Sequence, residues 1–178
     1  MKLMIHNRTI NLPFRWLIHL THGCIFLLLI YVSASAQEMP PRPINVSVNM
    51  SQNLSFGDFY QYASGGTVIV SSSGARSSTG SIVLLSEGTI STSRFDITAN
   101  PGTLITIVNG SDVSLNGSGG GTLMLHIGAS SPSSPIVTTQ PHSSVNIVYV
   151  GGTITVGNLA ASPPGNYSGT FQITFVQQ

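Results

Sequence analysis

The chain has 178 residues, only 6% of them charged, with one cysteine, one tryptophan and a formal net charge of +1. Beyond Ala36 it keeps three arginines (Arg42, Arg76, Arg94), no lysine and five carboxylates (Glu38, Asp58, Glu87, Asp96, Asp112), a net charge of about −2. Nucleic-acid binding needs several cations on one face to displace counterions, so this balance excludes nucleic acid as a partner.

The first residues carry Lys2, Arg8 and Arg15, then the apolar run Cys24 to Val32, then Ser33-Ala34-Ser35-Ala36. A basic start, a short apolar core and small residues before a cut are the parts of a secretory signal peptide, and they predict cleavage after Ala36. His19, Thr21 and His22 hold the uninterrupted apolar run to about half of the ~20 residues a membrane helix needs, so the mature chain is expected to have no membrane span. The protein is expected to be exported, to the medium, the periplasm or the cell surface. Mature protein from its host is predicted to begin at Gln37; N-terminal sequencing that finds Met1, or a lipid on Cys24, would contradict this reading. Cleavage also removes Cys24, so the mature domain must be held by packing and strand pairing rather than by a disulfide.

Residues 37–43 contain Pro40, Pro41 and Pro43 and read as an extended leader, because proline removes backbone donors and fixes φ. From residue 44 to the end at 178 one β domain is expected. Ile44, Val46, Val48 and Met50 alternate with polar residues, the period of a half-buried strand. This first strand is also the segment that would be exchanged between subunits if the domain assembled through its terminal strands.

Further β-like runs follow at Leu54 to Phe59, Thr67 to Ser71, Ile82 to Leu85, Arg94 to Thr98, Thr103 to Val108 and Thr122 to Ile127. The last are Val145 to Val150, Thr153 to Val156 and Tyr167 to Val176. No stretch keeps apolar residues at helical spacing over three turns. Asn109-Gly110, Asn116-Gly117, Gly65-Gly66 and Gly151-Gly152 read as turns, since they tolerate positive φ. Gly-Gly-Thr before an apolar run recurs at Gly65, Gly120 and Gly151, which suggests a flexible turn feeding a strand start. Ser130 to Pro141 reads as a crossover between two sheets. Short strands punctuated this often predict a sandwich or barrel.

Chemistry-bearing residues are sparse. Asp58, Glu87, Asp96 and Asp112 fit no paired acid-base motif of a glycosidase, Asp112 being explained by turn chemistry after Asn109-Gly110 and Asp96 by an exposed strand position. His126 shares a strand face with Met124, opposite Leu123, Leu125 and Ile127, and reads as a solvent-side histidine. Two isolated histidines, His126 and His142, fall short of a zinc site, and Gly117 to Gly121 lacks the lysine and helix of a phosphate loop, so no metal, cofactor or catalytic residue is expected. Tyr60 and Tyr62 would project from one side of an extended segment and form an aromatic platform for a sugar, against the plainer reading of tyrosines packed at a strand end. Six Asn-x-Ser sequons, starting at Asn45, Asn49, Asn53, Asn109, Asn116 and Asn166, are expected to carry no glycan.

Several segments together resemble a family of small exported bacterial domains of unknown function, allied to spore-coat-protein-U domains and chaperone-usher pilins. They are Leu54-Ser55-Phe56-Gly57, Gly65-Gly66-Thr67-Val68, Gly74-Ala75-Arg76, Arg94-Phe95-Asp96-Ile97-Thr98, Val150-Gly151-Gly152-Thr153-Ile154 and Gly165-Asn166-Tyr167-Ser168-Gly169-Thr170-Phe171. The resemblance implies an immunoglobulin-like, Greek-key β-sandwich of roughly eight to ten strands. It also implies a non-catalytic structural or interaction module of the cell envelope, pilin-like or adhesive, meeting itself or other surface proteins along strand edges. The alternative reading is a soluble carbohydrate- or ligand-binding sandwich.

Overall fold

The computed structural model describes the backbone of residues 45–48 and residues 52–178. The predicted signal peptide and leader, Ile44, Met50 and the side chains of Val46 and Val48 lie outside the described residues. The structure is all-β. Its strands are β1 (Asn45–Val48), β2 (Ser55–Phe56), β3 (Phe59–Val70), β4 (Arg76–Leu84), β5 (Ile90–Ser91), β6 (Ser93–Thr98) and β7 (Leu104–Asn109). Then come β8 (Val113–Gly117), β9 (Thr122–Ser131), β10 (Ile136–Val137), β11 (Asn146–Val156), β12 (Tyr167–Ser168) and β13 (Ile173–Gln177). Thirteen strands lie among the described residues, where eight to ten were expected: β2 and β12 fall inside the runs Leu54 to Phe59 and Tyr167 to Val176, while β5, β8 and β10 lie outside every run that alternation marked.

Strand β11 organises the larger, eight-stranded sheet. One flank pairs with β9, while the other is shared end to end by β6, along Asn146 to Val150, and β3, along Gly152 to Val156. Outward from these, β1 adds to β6, β4 to β3, and β8 then β12 to β9, all antiparallel. A second sheet, β10-β7-β13, faces it, and β2 and β5 form a small ribbon. The core is the apolar row of each inner face. Strand β6 alternates buried Ser93, Phe95 and Ile97 with half-buried Arg94, Asp96 and Thr98, and β9 buries Leu123, Leu125 and Ile127 while exposing Met124 and His126. Phe95 of the large sheet meets Phe175 of the small one, ring centroids 5.3 Å apart, in a sandwich-like arrangement.

Gly65-Gly66 and Gly151-Gly152 are not turns. Both pairs lie inside long strands, so Val145 to Val150 and Thr153 to Val156 join in the single strand β11. The reason is close backbone approach: a Cβ on Gly151 would lie 2.2 Å from the Val70 carbonyl oxygen, where the end of β3 abuts β11. The register against β9 shifts there, between Val150 and Gly152. Of the three Gly-Gly-Thr copies only Gly120-Gly121 is a turn, closing the β8–β9 hairpin.

The run Tyr167 to Val176 is broken for a related reason. Its first part pairs with β8 of the large sheet and its last part with β7 of the small one, so residues 169–172 are given over to the crossing. The Ser130 to Pro141 segment carries the chain from β9 of the large sheet to β10 of the small one, as its composition suggested, with cis peptide bonds before Pro132 and Pro135.

Candidate functional site

A groove of about 770 Å³ lies against the inner face of the large sheet. Its floor is aliphatic, from Leu115 of β8, Leu123 and Leu125 of β9, and Ile154 and Val156 of β11. One wall is the chain from Leu54 to Gln61 and the other runs from Ser162 to Phe171.

Each wall is fixed by local chemistry. Gly57, at φ +65°, lets the chain bend between β2 and β3. Arg76 then holds the bend, donating from Nη1 to the Leu85 carbonyl at 2.9 Å and from Nη2 to the Asp58 carbonyl at 2.7 Å. Burial draws the Arg76 pKa below its ordinary value, with the Asp58 carboxylate opposing the shift. On the other wall the Asn158 side chain accepts the backbone N–H groups of Ala160 and Ala161, a local turn motif. Ser162 Oγ donates to the Thr122 carbonyl at 2.9 Å, the Tyr167 hydroxyl donates to the Pro163 carbonyl, and Asn166 and Ser118 exchange hydrogen bonds.

Gln61 joins the walls. Its Nε2 donates to the Ser162 carbonyl at 2.7 Å, across 101 residues of sequence. Its Oε1 is buried, and no donor among the described residues reaches it. A buried acceptor without a partner costs about 1–3 kcal/mol. Among the described residues that line the groove, Asp58 is the sole charged one.

The structure brings Tyr60 and Tyr62 together, with ring centroids 5.5 Å apart and planes at 79°, the edge-to-face geometry favoured by aromatic quadrupoles. Both stay open to solvent, at 43% and 59% exposure, and Tyr60 lines the groove. Val83, paired opposite Tyr60 on β4, is 36% exposed. Hydrogen bonding with the Tyr62 phenol, then charge repulsion from it, raises the Tyr60 pKa above the ordinary tyrosine value.

His126 is exposed, as its alternation with Leu125 and Ile127 suggested, and its Nδ1 lies 2.7 Å from an Asp112 carboxylate oxygen. This pair stands on the face of β9 away from the groove floor. Asp96 is less exposed than its place in the strand implied, because it accepts a hydrogen bond from Arg94 Nε at 2.8 Å on the same face. Gln61, Leu159 and the 162–171 wall gave no sequence signal as site residues. The one cue there was the Pro163-Pro164 pair, which marks a loop without saying what it faces.

These features define an all-β domain with a groove whose floor is formed by buried aliphatic side chains of its larger sheet. The family described as Domain of unknown function (DUF4402) matches residues 46–176, and the chain belongs to it. No curated protein and no solved structure matches the chain.

Proposed function

We propose that this chain is an exported, non-catalytic interaction module of the cell envelope or extracellular space. It would be structural or adhesive, built as an immunoglobulin-like sandwich of the spore-coat-protein-U and pilin-like kind. The groove is the observation that most supports this reading: it is concave, aliphatic at its floor and held open by hydrogen-bonded walls, as binding sites are. Pairing of Asn45–Val48 with β6 of the same chain favours a self-contained domain whose partner enters the groove, over exchange of the first strand. A soluble ligand-binding domain is the second reading, favoured by the exposed tyrosine pair.

The test is photo-crosslinking in the native host from two exposed positions. Leu159 is 50% exposed at the groove, and Val137 is 58% exposed on the small sheet. A photoreactive residue at 159 is expected to give discrete adducts, their mass showing whether the partner is a second copy or another molecule, while one at 137 gives few. Equal yields, or adducts from 137 alone, would overturn the proposal.

A further inference from the structure

Strands β3 and β4 form a hairpin in two halves. In the inner half Gly66 to Val70 pairs with Arg76 to Gly80 and, through β11, belongs to the large sheet. In the outer half Phe59 to Gln61 pairs with Ile82 to Leu84 and supplies part of the groove wall. Between them the register breaks, residues 62–65 standing opposite Ser81 alone, and Gly65 and Gly80 take positive φ there. The hairpin is folded back on itself at this break. Arg76, at the far end of the inner half, donates to the Leu85 and Asp58 carbonyls at the far end of the outer one. Nine residues of straight strand would span roughly 30 Å, well beyond one arginine side chain. Near the break Gln61 donates to the Ser162 carbonyl on the opposite wall. Among the described residues no backbone hydrogen bond joins the outer half to the 162–171 wall.

Each of these two clamping side chains leaves one atom unsatisfied. Gln61 Oε1 and Arg76 Nε are buried without a hydrogen-bond partner, and among the described residues Ser93 Oγ is the one other such atom. Closing the outer half strips water from both atoms and returns no bond, which offsets part of what the clamps contribute. The groove has volume, yet its floor has almost no accessible surface: Ile154 is 2% exposed, and Val68, its neighbour in register, is fully buried. We infer that the outer half of the hairpin, Phe59 to Gln61 with Ile82 to Leu84, is a lid, hinged at the register break and clamped by Arg76 and Gln61, which swings out to bare the aliphatic floor to the partner. This rests on the reading of the groove as the binding site and adds how that site opens. Opening breaks side-chain hydrogen bonds and apolar contacts, leaves the pairing inside the lid intact, and returns both orphan atoms to water. Gly57, at φ +65° between β2 and β3, is the pivot where the lid joins the rest of the wall.

The test is thiol labelling of the folded mature chain. Cys24 lies in the predicted signal peptide, so a cysteine introduced beyond it is the sole thiol. Ile154→Cys places that thiol in the groove floor, and Ile97→Cys makes the same change at an equally buried position of β6 away from the groove. With a neutral maleimide in low urea, Ile154→Cys is expected to label at least about tenfold faster than Ile97→Cys, at a rate that urea leaves unchanged, as local opening requires. Adding Arg76→Ala should speed labelling at 154 about tenfold or more and leave 97 as it was, since two hydrogen bonds from a charged donor are lost. Gln61→Ala should act in the same direction and serves if Arg76→Ala fails to fold. Thr67→Ala, which removes the Thr67–Thr79 hydroxyl pair on the inner half of the hairpin, should change neither rate. Equal labelling at 154 and 97, a rate at 154 that climbs with urea as global unfolding does, or a rate at 154 that neither clamp variant moves would overturn the lid. Groove-specific adducts from position 159 alongside any of these results would leave the interaction reading standing while the lid falls. Clamp-dependent labelling without those adducts would keep the lid and remove the interaction reading.

Discussion

Gly65→Ala is expected to cost more than about 4 kcal/mol, enough to unfold a domain whose total stability is of the usual ~5–15 kcal/mol. Gly65 sits at φ +70°, where an L side chain costs about 1–2 kcal/mol on its own. Steric overlap adds the greater part. A Cβ there would lie 2.3 Å from the carbonyl oxygens of both Val156 and Gly157, which are backbone atoms at the end of β11 and cannot swing aside. Gly74 supplies the comparison, since at φ +84° it has nothing within 4 Å of its Cβ position. Gly74→Ala should therefore cost only the backbone penalty of positive φ, about 1–2 kcal/mol. Urea unfolding of the two variants checks this, and similar midpoints would contradict the close approach of β3 to β11.

Phe95→Ala is expected to cost about 3–5 kcal/mol, the usual range for emptying a buried phenylalanine site. Phe95 is buried on the inner face of β6, and its ring meets Phe175 of the opposite sheet. Phe175 is only half-buried, so Phe175→Ala should cost less. Because the two rings touch, the double variant should cost less than the two single changes added together. A loss below about 1 kcal/mol for Phe95→Ala, against this expected range, would mean that the two sheets are not packed through this residue.

The β class of the chain was legible because alternation is a one-dimensional signal: Phe95, Ile97 and Leu123, Leu125, Ile127 announce their buried faces from sequence alone. The glycine pairs read as turns in the sequence because a turn and a close backbone approach ask for the same residue. Only the position of Val70 against Gly151 tells them apart, and that contact spans 81 residues of sequence. The break at residues 169–172 was equally hidden, since Phe171 continues the alternation of Ile173 and Phe175 while the backbone changes sheets. For the site, Tyr60 and Tyr62 were readable as neighbours on one strand face. Gln61 was not, because its significance comes from Ser162 across the groove and from an oxygen that nothing else among the described residues reaches.

Amide hydrogen exchange on the mature chain, alone and then bound to envelope material from its native host, tests most directly whether the groove is where the domain meets its partner. Slowed exchange is expected to be confined to the two walls, residues 54–61 and 162–171, with β10, β7 and β13 unchanged. Slowing on the small sheet, or on the outer face that carries Met124 and His126, with the groove walls exchanging as in the free protein, would contradict a partner in the groove.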